Sequence, residues 1–392
     1  MSPVHLQLTL PGYRIIRWES NQLMRVSLEV VDTPRSCPYC AGSSLRSKGR
    51  YERRARHLDC MGHQSEVVIR CRRYRCVPCN RSFVERLPGL MPGRRSTEPL
   101  RQVIYERHHA GIPASVLGRR EGFGPATVAR IYSQFTERKA RERLSLDCPR
   151  VLGIDEHTLH KSMRFATTFC DLKRHRVFDI SPGRSEAELA SYLARLRGRD
   201  RVKLVCIDLS NSYRAMIRRW FPNAAIVADR FHAVRLAGLH LMRVARQLCP
   251  EVGWNRSWLG ILRMRRDRLD PDQRLRLKRL FERHPQLQAV YDMKESICAL
   301  LCLKHLSKQA CKERIPQLLA LIQTLKQSGM QAALTLAKSL SEWLEEIVRM
   351  WRFTRNNGIT EGFHRKMKLI QRRAYGFRSF NNYRLRVIAQ CG

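Results

Sequence analysis

The sequence is poor in acidic residues. It contains 34 Asp and Glu against 74 Lys and Arg, which gives a formal net charge of +40 at pH 7. The basic residues are spread over the whole length of the chain and are not collected in a tail. A positive field of this extent requires a polyanionic partner. We therefore expect the protein to bind nucleic acid.

The sequence also lacks long apolar runs and export signals. No run of 18 apolar residues and no signal peptide is present, so we expect neither a membrane-spanning helix nor secretion. The absence of an amphipathic anchor and of a lipidation signal disfavours a membrane surface as the polyanionic partner. We expect a cytoplasmic protein. Its 43% of hydrophobic residues is enough for a folded core, and its length allows roughly two to four domains.

Cysteines are numerous, and their distribution indicates two different roles. Eight of the 14 are scattered through apolar or helical segments, which is typical of reduced, buried thiols. The other six lie within residues 37–79, and four of these form two CxxC pairs that predict a zinc ribbon. The predicted zinc ligands are Cys37, Cys40, Cys76 and Cys79. Cys60 and Cys71 are competing ligands, although neither belongs to a CxxC pair.

The segment between the CxxC pairs is long enough for a hairpin. It holds 35 residues, and residues 66–75 alternate as a strand does. A module that only stabilises the fold through its metal is one interpretation. The number of arginines favours an additional role in binding nucleic acid. These arginines are Arg70, Arg72, Arg73, Arg75 and Arg81.

A segment rich in Pro and Gly, residues 87–93, precedes a change to helical periodicity. Thr97 is placed to cap a helix that extends to about His109. A short helix over residues 114–120 and a third helix over residues 126–138 follow, with a Gly-containing turn between them. This succession is typical of a helix-turn-helix that binds DNA.

The third of these helices has an apolar face and a polar face. The apolar positions are Val128, Ile131, Tyr132 and Phe135. The outward positions, which we expect to contact a DNA groove, are Thr127, Arg130 and Gln134.

Three short apolar runs in the middle of the chain each end in an aspartate. These aspartates are Asp155, Asp208 and Asp229. If the three runs are parallel strands, their carboxyl ends share one edge of the sheet and the side chains converge. Carboxylates at such close range repel one another unless a divalent cation lies between them. Hard oxygen ligands favour Mg²⁺ or Mn²⁺.

The elements around these aspartates follow the order of an RNase H-like sheet. Residues 164–170 and 176–180 predict two antiparallel strands, and residues 185–196 predict a helix. A further helix over residues 212–220 separates the second and third acid-ended strands. Residues 231–351 have a helical pattern and many basic residues, which predicts an all-helical insertion. The basic surface of this insertion is either only solvated or faces DNA.

The last segment begins with the loop at Asn356, Asn357 and Gly358 and continues as a helix. Its apolar face is predicted to comprise Phe363, Met367, Ile370 and Ala374. By helical spacing, another face carries Glu361, Arg365, Lys368 and Arg372. A carboxylate above a row of cations suits a metal ion and a phosphate backbone. A surface helix with unrelated charges is the alternative.

These motifs, in this order, resemble the ISL3 family of insertion-sequence transposases, within the wider DDE group. The resemblance covers nearly the whole chain. Besides the CxxC pairs it rests on the segments Phe83–Pro88, Val151–His157, Asp229–His232, Thr360–Gly362 and Arg372–Arg378.

The resemblance implies a catalytic triad of Asp155, Asp208 and Glu361 that holds Mg²⁺ or Mn²⁺. Asp229, which is followed by His232, is then either a fourth acid at the metal site or, like His232, a group that orients the metal ligands without binding the metal. The implied activity is metal-dependent cleavage and strand transfer of double-stranded DNA, at the terminal inverted repeats of the element and at a target. The implied assembly is a homodimer or higher oligomer at the bacterial nucleoid.

The implied fold is a multidomain α/β protein. It comprises a zinc-ribbon module (1–92), a helix-turn-helix domain (93–147) and an RNase H-like catalytic domain (148–392) with a helical insertion at about 241–350. Two other functions remain open. One is an RNase H-superfamily nuclease without strand transfer, because hydrolysis and joining use the same metal site. The other is a DNA-binding regulator whose carboxylates are only structural, against which the presence of all three acids argues.

Overall fold

The computed structural model of the chain describes residues 10–20, 23–60, 62–144, 146–159, 165–353, 358–374, 376–377 and 379–392. The chain divides into two compact units, Met1–Arg138 and Lys139–Gly392. The predicted loop at Asn356 and Asn357 lies outside the described residues. No helix among the described residues combines the length and the hydropathy needed to cross a membrane.

The first unit contains a five-stranded sheet. Its strands are β1 (Tyr13–Ser20), β2 (Met24–Val30), β3 (Leu45–Cys60), β4 (His63–Cys76) and β5 (Ser82–Val84). The order is β1-β2-β4-β3, with β5 on β4, and β3 and β4 form the long antiparallel hairpin predicted between the CxxC pairs. Side chains on a strand alternate between two faces, so Val67, Ile69 and Cys71 are buried while Arg70 is exposed.

Three helices complete the first unit, as predicted. They are α1 (Glu98–His109), α2 (Ala114–Glu121) and α3 (Pro125–Leu144), and the division between the units falls within α3. The predicted apolar stripe of α3 is confirmed, because all four of its residues are buried. Gly122 ends α2 in the left-handed conformation (φ 70°), which glycine adopts without a steric penalty.

Two predictions for these helices were wrong in detail. Thr97 is the residue before α1, but its hydroxyl makes no capping hydrogen bond to the helix and lies 2.9 Å from His57 Nδ1. A buried side chain from the hairpin therefore takes the hydroxyl that the helix end would otherwise use. Helix α3 also continues six residues beyond Arg138, to Leu144, since its strong helix formers carry no stop signal.

The second unit contains a mixed five-stranded sheet in the order β10-β9-β6-β7-β8. Its strands are β6 (Val151–Thr158), β7 (Phe165–Asp171), β8 (Arg176–Pro182), β9 (Leu204–Ile207) and β10 (Ala225–Ala228). β6, β9 and β10 are parallel, whereas β6, β7 and β8 form an antiparallel meander. The prediction that the first strand ends at Asp155 was wrong: β6 runs to Thr158, because its last residues remain paired with β7.

Helices cover both faces of this sheet. The helices of the second unit are α4 (Glu186–Arg195), α5 (Asn211–Trp220), α6 (Arg230–Leu248), α7 (Pro250–Trp254), α8 (Arg256–Arg263), α9 (Pro271–Arg283), α10 (Pro285–Leu301), α11 (Lys308–Gln327), α12 (Gln331–Glu342), α13 (Leu344–Arg352), α14 (Gly358–Arg373) and α15 (Phe380–Cys391). The stretch predicted to be an all-helical insertion is helical in the structure.

The helical stretch shares one hydrophobic core with the sheet. Ile347 and Trp351 of α13 belong to the same buried cluster as Ile226 and Val227 of β10. The opposite face of the sheet is covered by α14 and α15, through residues such as Met367. Because the insertion contributes to the main core, it supports the acid-ended strands directly.

Candidate active site and metal centre

The four cysteines of the CxxC pairs form a cluster in the first unit. The Cys37 and Cys79 sulfurs lie 3.6 Å apart and those of Cys40 and Cys76 lie 3.5 Å apart. All four sulfurs are within 4.8 Å of one another. Four thiolates at about 2.3 Å from one zinc ion in tetrahedral geometry are about 3.8 Å apart, so the cluster fits the metal.

Tight turns at the two pairs bring the sulfurs together. Ala41 and Asn80, the residues that directly follow the pairs, both have φ of 58°, in the left-handed region. The backbone N–H of Tyr39 donates to Cys37 Sγ at 3.4 Å. The competing ligand Cys71 instead packs in the core of the sheet and donates to the Ile69 carbonyl.

The second unit aligns the three predicted aspartates at one edge of its sheet. Ala228 of β10 pairs with Ile207 of β9, and Gly153 of β6 pairs with Cys206 of β9. Continuing this register places Asp229, Asp208 and Asp155 at the same level on three adjacent parallel strands. Since neighbouring strands are about 4.8 Å apart, the three carboxyl groups occupy one short stretch of the edge, as the sequence predicts.

The electrostatics of this edge are those of an uncompensated acid cluster. Burial raises the pKa of Asp155 to about 7, with the charges of Asp208 and Asp229 adding to the effect and the Glu156 N–H opposing it. Burial and neighbouring acids also raise the pKa of Asp208, while His232 opposes the rise. The charged form of each of these carboxylates is therefore destabilised at neutral pH, and a bound cation would offset this destabilisation.

Asp208 has a carboxylate oxygen suited to binding a cation. Its Oδ1 atom is buried and has no hydrogen-bond partner among the described residues. A buried carboxylate oxygen is costly unless it is paired. No three carboxyl groups in the described part of the chain have oxygens within 4.8 Å of one another, so this edge is more open than the cysteine cluster. Its oxygen donor set fits Mg²⁺ or Mn²⁺.

Asp229 and His232 stand beside the other two acids. Asp229 is the residue before α6, and its side chain is only 2% exposed, compared with 15% for Asp155. His232, one turn along α6, places Nε2 at 3.7 Å from Asp229 Oδ2. Asp229 therefore lies deeper at the edge than Asp155.

Glu361 contacts a cation of its own helix. It is in the first turn of α14, its side chain is 47% exposed, and it pairs with Arg365 at 3.2 Å. One turn further along the helix, His364 Nδ1 lies 3.7 Å from Asp155 Oδ2. The structure thus brings Asp155, Asp208 and Asp229 together. The residue of α14 that contacts Asp155 is His364 and not Glu361.

Comparison with known proteins agrees with this architecture. Residues 152–387 match the ISL3 family of DDE transposases, and residues 33–79 match the zinc finger of the transposases of IS204, IS1001, IS1096 and IS1165. The chain is also 28% identical, over 403 aligned residues, to the transposase for insertion sequence element IS1001 of Bordetella parapertussis. That alignment covers 96% of this chain and 94% of the relative.

The chain belongs to the ISL3 transposase family. The predicted family, zinc ribbon and enzyme class are therefore confirmed, and the cofactors of an ISL3 transposase are zinc in the ribbon and a divalent ion at the catalytic site.

The candidate DNA contacts of this ISL3 transposase differ in exposure. Arg130 is exposed and its guanidinium donates to Thr127 Oγ1 at 3.1 Å. Gln134 is half-buried, and its amide oxygen accepts a hydrogen bond from Arg101 of α1. Gln134 is therefore held within the unit, whereas Thr127 and Arg130 are not. On α14, the cations Arg365, Lys368 and Arg372 are all exposed.

Sequence reasoning missed two residues that shape the site of this ISL3 transposase. Arg230, next to Asp229, is buried and donates to the carbonyls of Leu301 (3.2 Å), Leu303 (3.0 Å) and Met350 (2.9 Å). It joins the start of α6 to the ends of α10 and α13. His364 is the second. Periodicity could show that His364 is in a helix, but neither residue has a local signal that identifies its distant contacts.

Proposed function

We propose that this transposase recognises the terminal inverted repeats of its element with residues 1–147 and cuts and joins DNA at the aspartate edge of residues 148–392. The observation that carries the proposal is the alignment of three strand-end aspartates. The pKa values of two of them, Asp155 and Asp208, are raised, and Asp208 Oδ1 is buried without a hydrogen-bond partner among the described residues. Such an arrangement supports cation binding and offers no other evident use.

Within this edge we assign Asp155, Asp208 and Glu361 to the divalent ions and Asp229 to a supporting position. The near-complete burial of Asp229 and its contact with His232 support this assignment. Glu361 is one turn from His364, which faces Asp155, so the first turn of α14 is at the same edge. The ion pair of Glu361 with Arg365 is exposed and weak enough to be exchanged for a metal contact.

The chemistry follows from what these residues hold. Divalent ions held by Asp155, Asp208 and Glu361 would lower the pKa of an attacking water or 3′-hydroxyl and would stabilise the leaving oxygen in an in-line displacement at phosphorus. The carboxylates keep their charge for the ions and do not act as acids. The exposed cations Arg365, Lys368 and Arg372 are placed to contact the phosphate backbone next to the reacting strand.

For the fold we propose the RNase H-like class, which the strand order β10-β9-β6-β7-β8 and the position of the acids support. We also propose that α2 and α3 act as a helix-turn-helix, with Thr127 and Arg130 near the start of the recognition helix. Residues 1–92 and residues 93–147 then have separate recognition roles.

The zinc-ribbon hairpin is a second DNA-binding surface in this proposal. Arg46 and Arg75 are directly opposite each other on β3 and β4, whereas the second opposed pair, Arg50 and Arg72, is compensated by Glu29 (3.7 Å) and Glu85 (2.9 Å). Like charges in that position destabilise a sheet, and a polyanion would relieve the repulsion. The side chains of Arg46 and Arg75 are both exposed, so they can contact phosphate oxygens.

The test is an in vitro transposition reaction. Full-length, zinc-loaded protein is incubated with a labelled duplex of the element end, a target plasmid and Mg²⁺, with Asp155→Asn protein as the control. We expect the label to be cut at the element end and joined to the plasmid by the wild type alone. Cutting without joining would favour a nuclease, and binding without either product would favour a DNA-binding regulator. A size measurement of the protein–DNA complex tests the proposed dimer or higher oligomer.

A further inference from the structure

A chain of buried polar side chains extends from Asp155 into the C-terminal helices. His364 Nε2 lies 3.1 Å from Thr168 Oγ1, and Thr168 Oγ1 lies 3.0 Å from His157 Nδ1. His157 Nε2 lies 2.9 Å from the Tyr383 hydroxyl. These residues belong to α14, β7, β6 and α15, so four elements meet along one path that ends 3.7 Å from Asp155 Oδ2.

The path has a definite direction of hydrogen donation. A neutral imidazole has one N–H donor and one acceptor nitrogen. Thr168 has a single hydroxyl hydrogen and lies between the two rings. It must therefore donate to one ring and accept from the other, and the choice determines both tautomers.

The position of the Asp155 carboxylate, 3.7 Å from His364 Nδ1, favours the direction in which His364 carries its hydrogen on Nδ1 and accepts at Nε2. Tyr383 then donates to His157 Nε2, His157 Nδ1–H donates to Thr168, and Thr168 donates to His364 Nε2. The opposite direction would leave the lone pair of His364 Nδ1 facing the Asp155 carboxylate, which is repulsive.

We propose that His364 is a positioning residue for Asp155, with its Nδ1–H directed at the carboxylate and its tautomer held by Thr168, His157 and Tyr383. This inference rests on the proposed role of Asp155 as a metal ligand. Carboxylates that bind a metal ion are commonly oriented by polar groups around them. His364 also links the position of α14 to the aspartate edge, because Glu361 lies one turn earlier on the same face of that helix.

The variants separate hydrogen bonding from packing. His364→Phe keeps a planar ring and removes both nitrogens, whereas His364→Asn keeps an N–H close to the position of Nδ1. Thr168→Val keeps the shape of threonine without the hydroxyl, and Thr168→Ser keeps the hydroxyl. Leu369→Ala, at an exposed position of α14, is the matched control for changes in that helix.

The primary measurement is the affinity of the full-length, zinc-loaded protein for Mn²⁺, from the electron paramagnetic resonance signal of free Mn²⁺. We expect His364→Phe to weaken binding by about 10–100-fold, the usual effect of losing a group that orients a ligand. Thr168→Val should weaken it less. His364→Asn, Thr168→Ser and Leu369→Ala should remain close to the wild type. Thermal unfolding of each variant shows that it is folded.

A second measurement reads the tautomer. In protein labelled with ¹⁵N at histidine, a resonance of the Nδ1–H tautomer should disappear in His364→Asn and shift or broaden in Thr168→Val. A merely structural role for Thr168 would leave that resonance unchanged.

The outcomes that contradict the proposal are distinct. Wild-type Mn²⁺ affinity in His364→Phe, combined with a loss in Asp155→Asn, would overturn the role of His364 and leave Asp155 as a ligand. Wild-type affinity in Asp155→Asn would overturn the assignment of Asp155 and this inference with it. Equal losses in His364→Asn and His364→Phe, or in Thr168→Ser and Thr168→Val, would show that packing alone is at work.

Discussion

Replacing Arg230 by methionine removes a buried cation that joins the catalytic sheet to the helical insertion. Its guanidinium donates to three backbone carbonyls, at the ends of α10 and α13. Hydrogen bonds from a charged donor contribute about 1.5–3 kcal/mol each. Removing one partner of a buried charged contact typically costs about 3–5 kcal/mol.

The lower end of this range applies to Arg230. Its NH1 atom is buried without a hydrogen-bond partner among the described residues, so the wild-type protein already carries part of the desolvation cost. Methionine also retains the packing of the apolar stem. We therefore expect the free energy of unfolding of the second unit to fall by about 3 kcal/mol. The free energy of unfolding of Arg230→Lys should lie between those of the wild type and Arg230→Met. The ammonium group of lysine is compact and lacks the planar, forked guanidinium that contacts carbonyls on two helices at once.

Urea unfolding followed by tryptophan fluorescence provides the measurement. Five of the six tryptophans are in the second unit, so the signal reports mainly on that unit. With a denaturant slope of about 3 kcal/mol per M, the midpoint should shift by about 1 M. Arg235→Met, at an exposed position of the same helix, is the matched control. Equal midpoints for Arg230→Met and Arg235→Met would refute the idea that Arg230 holds the insertion to the sheet.

Three further predictions concern the metals and DNA. Cys76→Ser should unfold the zinc-ribbon module and weaken binding to the element ends, because metal binding and folding are coupled. The second unit should stay folded. Unchanged zinc content and unchanged binding to the element ends would contradict the four-cysteine site. DNA affinity should fall by roughly a thousandfold between about 50 and about 200 mM salt if six or more phosphates are neutralised, as the charge of +40 suggests; a dissociation constant independent of salt would point to another partner. Since the pKa of Asp155 is raised to about 7, the metal-free protein binds more protons when folded than when unfolded between about pH 4 and 7. Its stability should therefore decrease as pH rises through that window, and Asp155→Asn should reduce the decrease, as measured by urea unfolding at several pH values.

Much of the fold could be predicted from local patterns. The alternation in β4, the helical stripe of α3 and the apolar runs before Asp155, Asp208 and Asp229 each depend on residues close in sequence. The convergence of the aspartates also followed, because parallel strands with acids at their ends have only one edge on which to place them. The zinc ligands followed from spacing alone.

The remaining features depend on contacts between distant residues, for which a single sequence carries no signal. His364 meets Asp155 although 208 residues lie between them, and Arg230 finds its acceptors 71 to 120 residues away. The exposure of Glu361 and the hydrogen bond from Arg101 to Gln134 depend on the side-chain conformations in the folded protein. Helical spacing could place Gln134 on the outward face but could not show that a neighbouring helix would engage it.

The central claim is that Asp155, Asp208 and Glu361 hold the catalytic metal ions and that Asp229 supports them. The most direct test is divalent-dependent cleavage of the element end by four variants, Asp155→Asn, Asp208→Asn, Glu361→Gln and Asp229→Asn, with a gel shift on the same DNA. These substitutions keep the shape of each side chain and remove its charge. The account predicts intact DNA binding by all four variants, no cleavage by the first three, and about 10–100-fold less cleavage by Asp229→Asn. Full cleavage by Glu361→Gln together with none by Asp229→Asn would contradict it and assign the third metal-binding carboxylate to the end of β10.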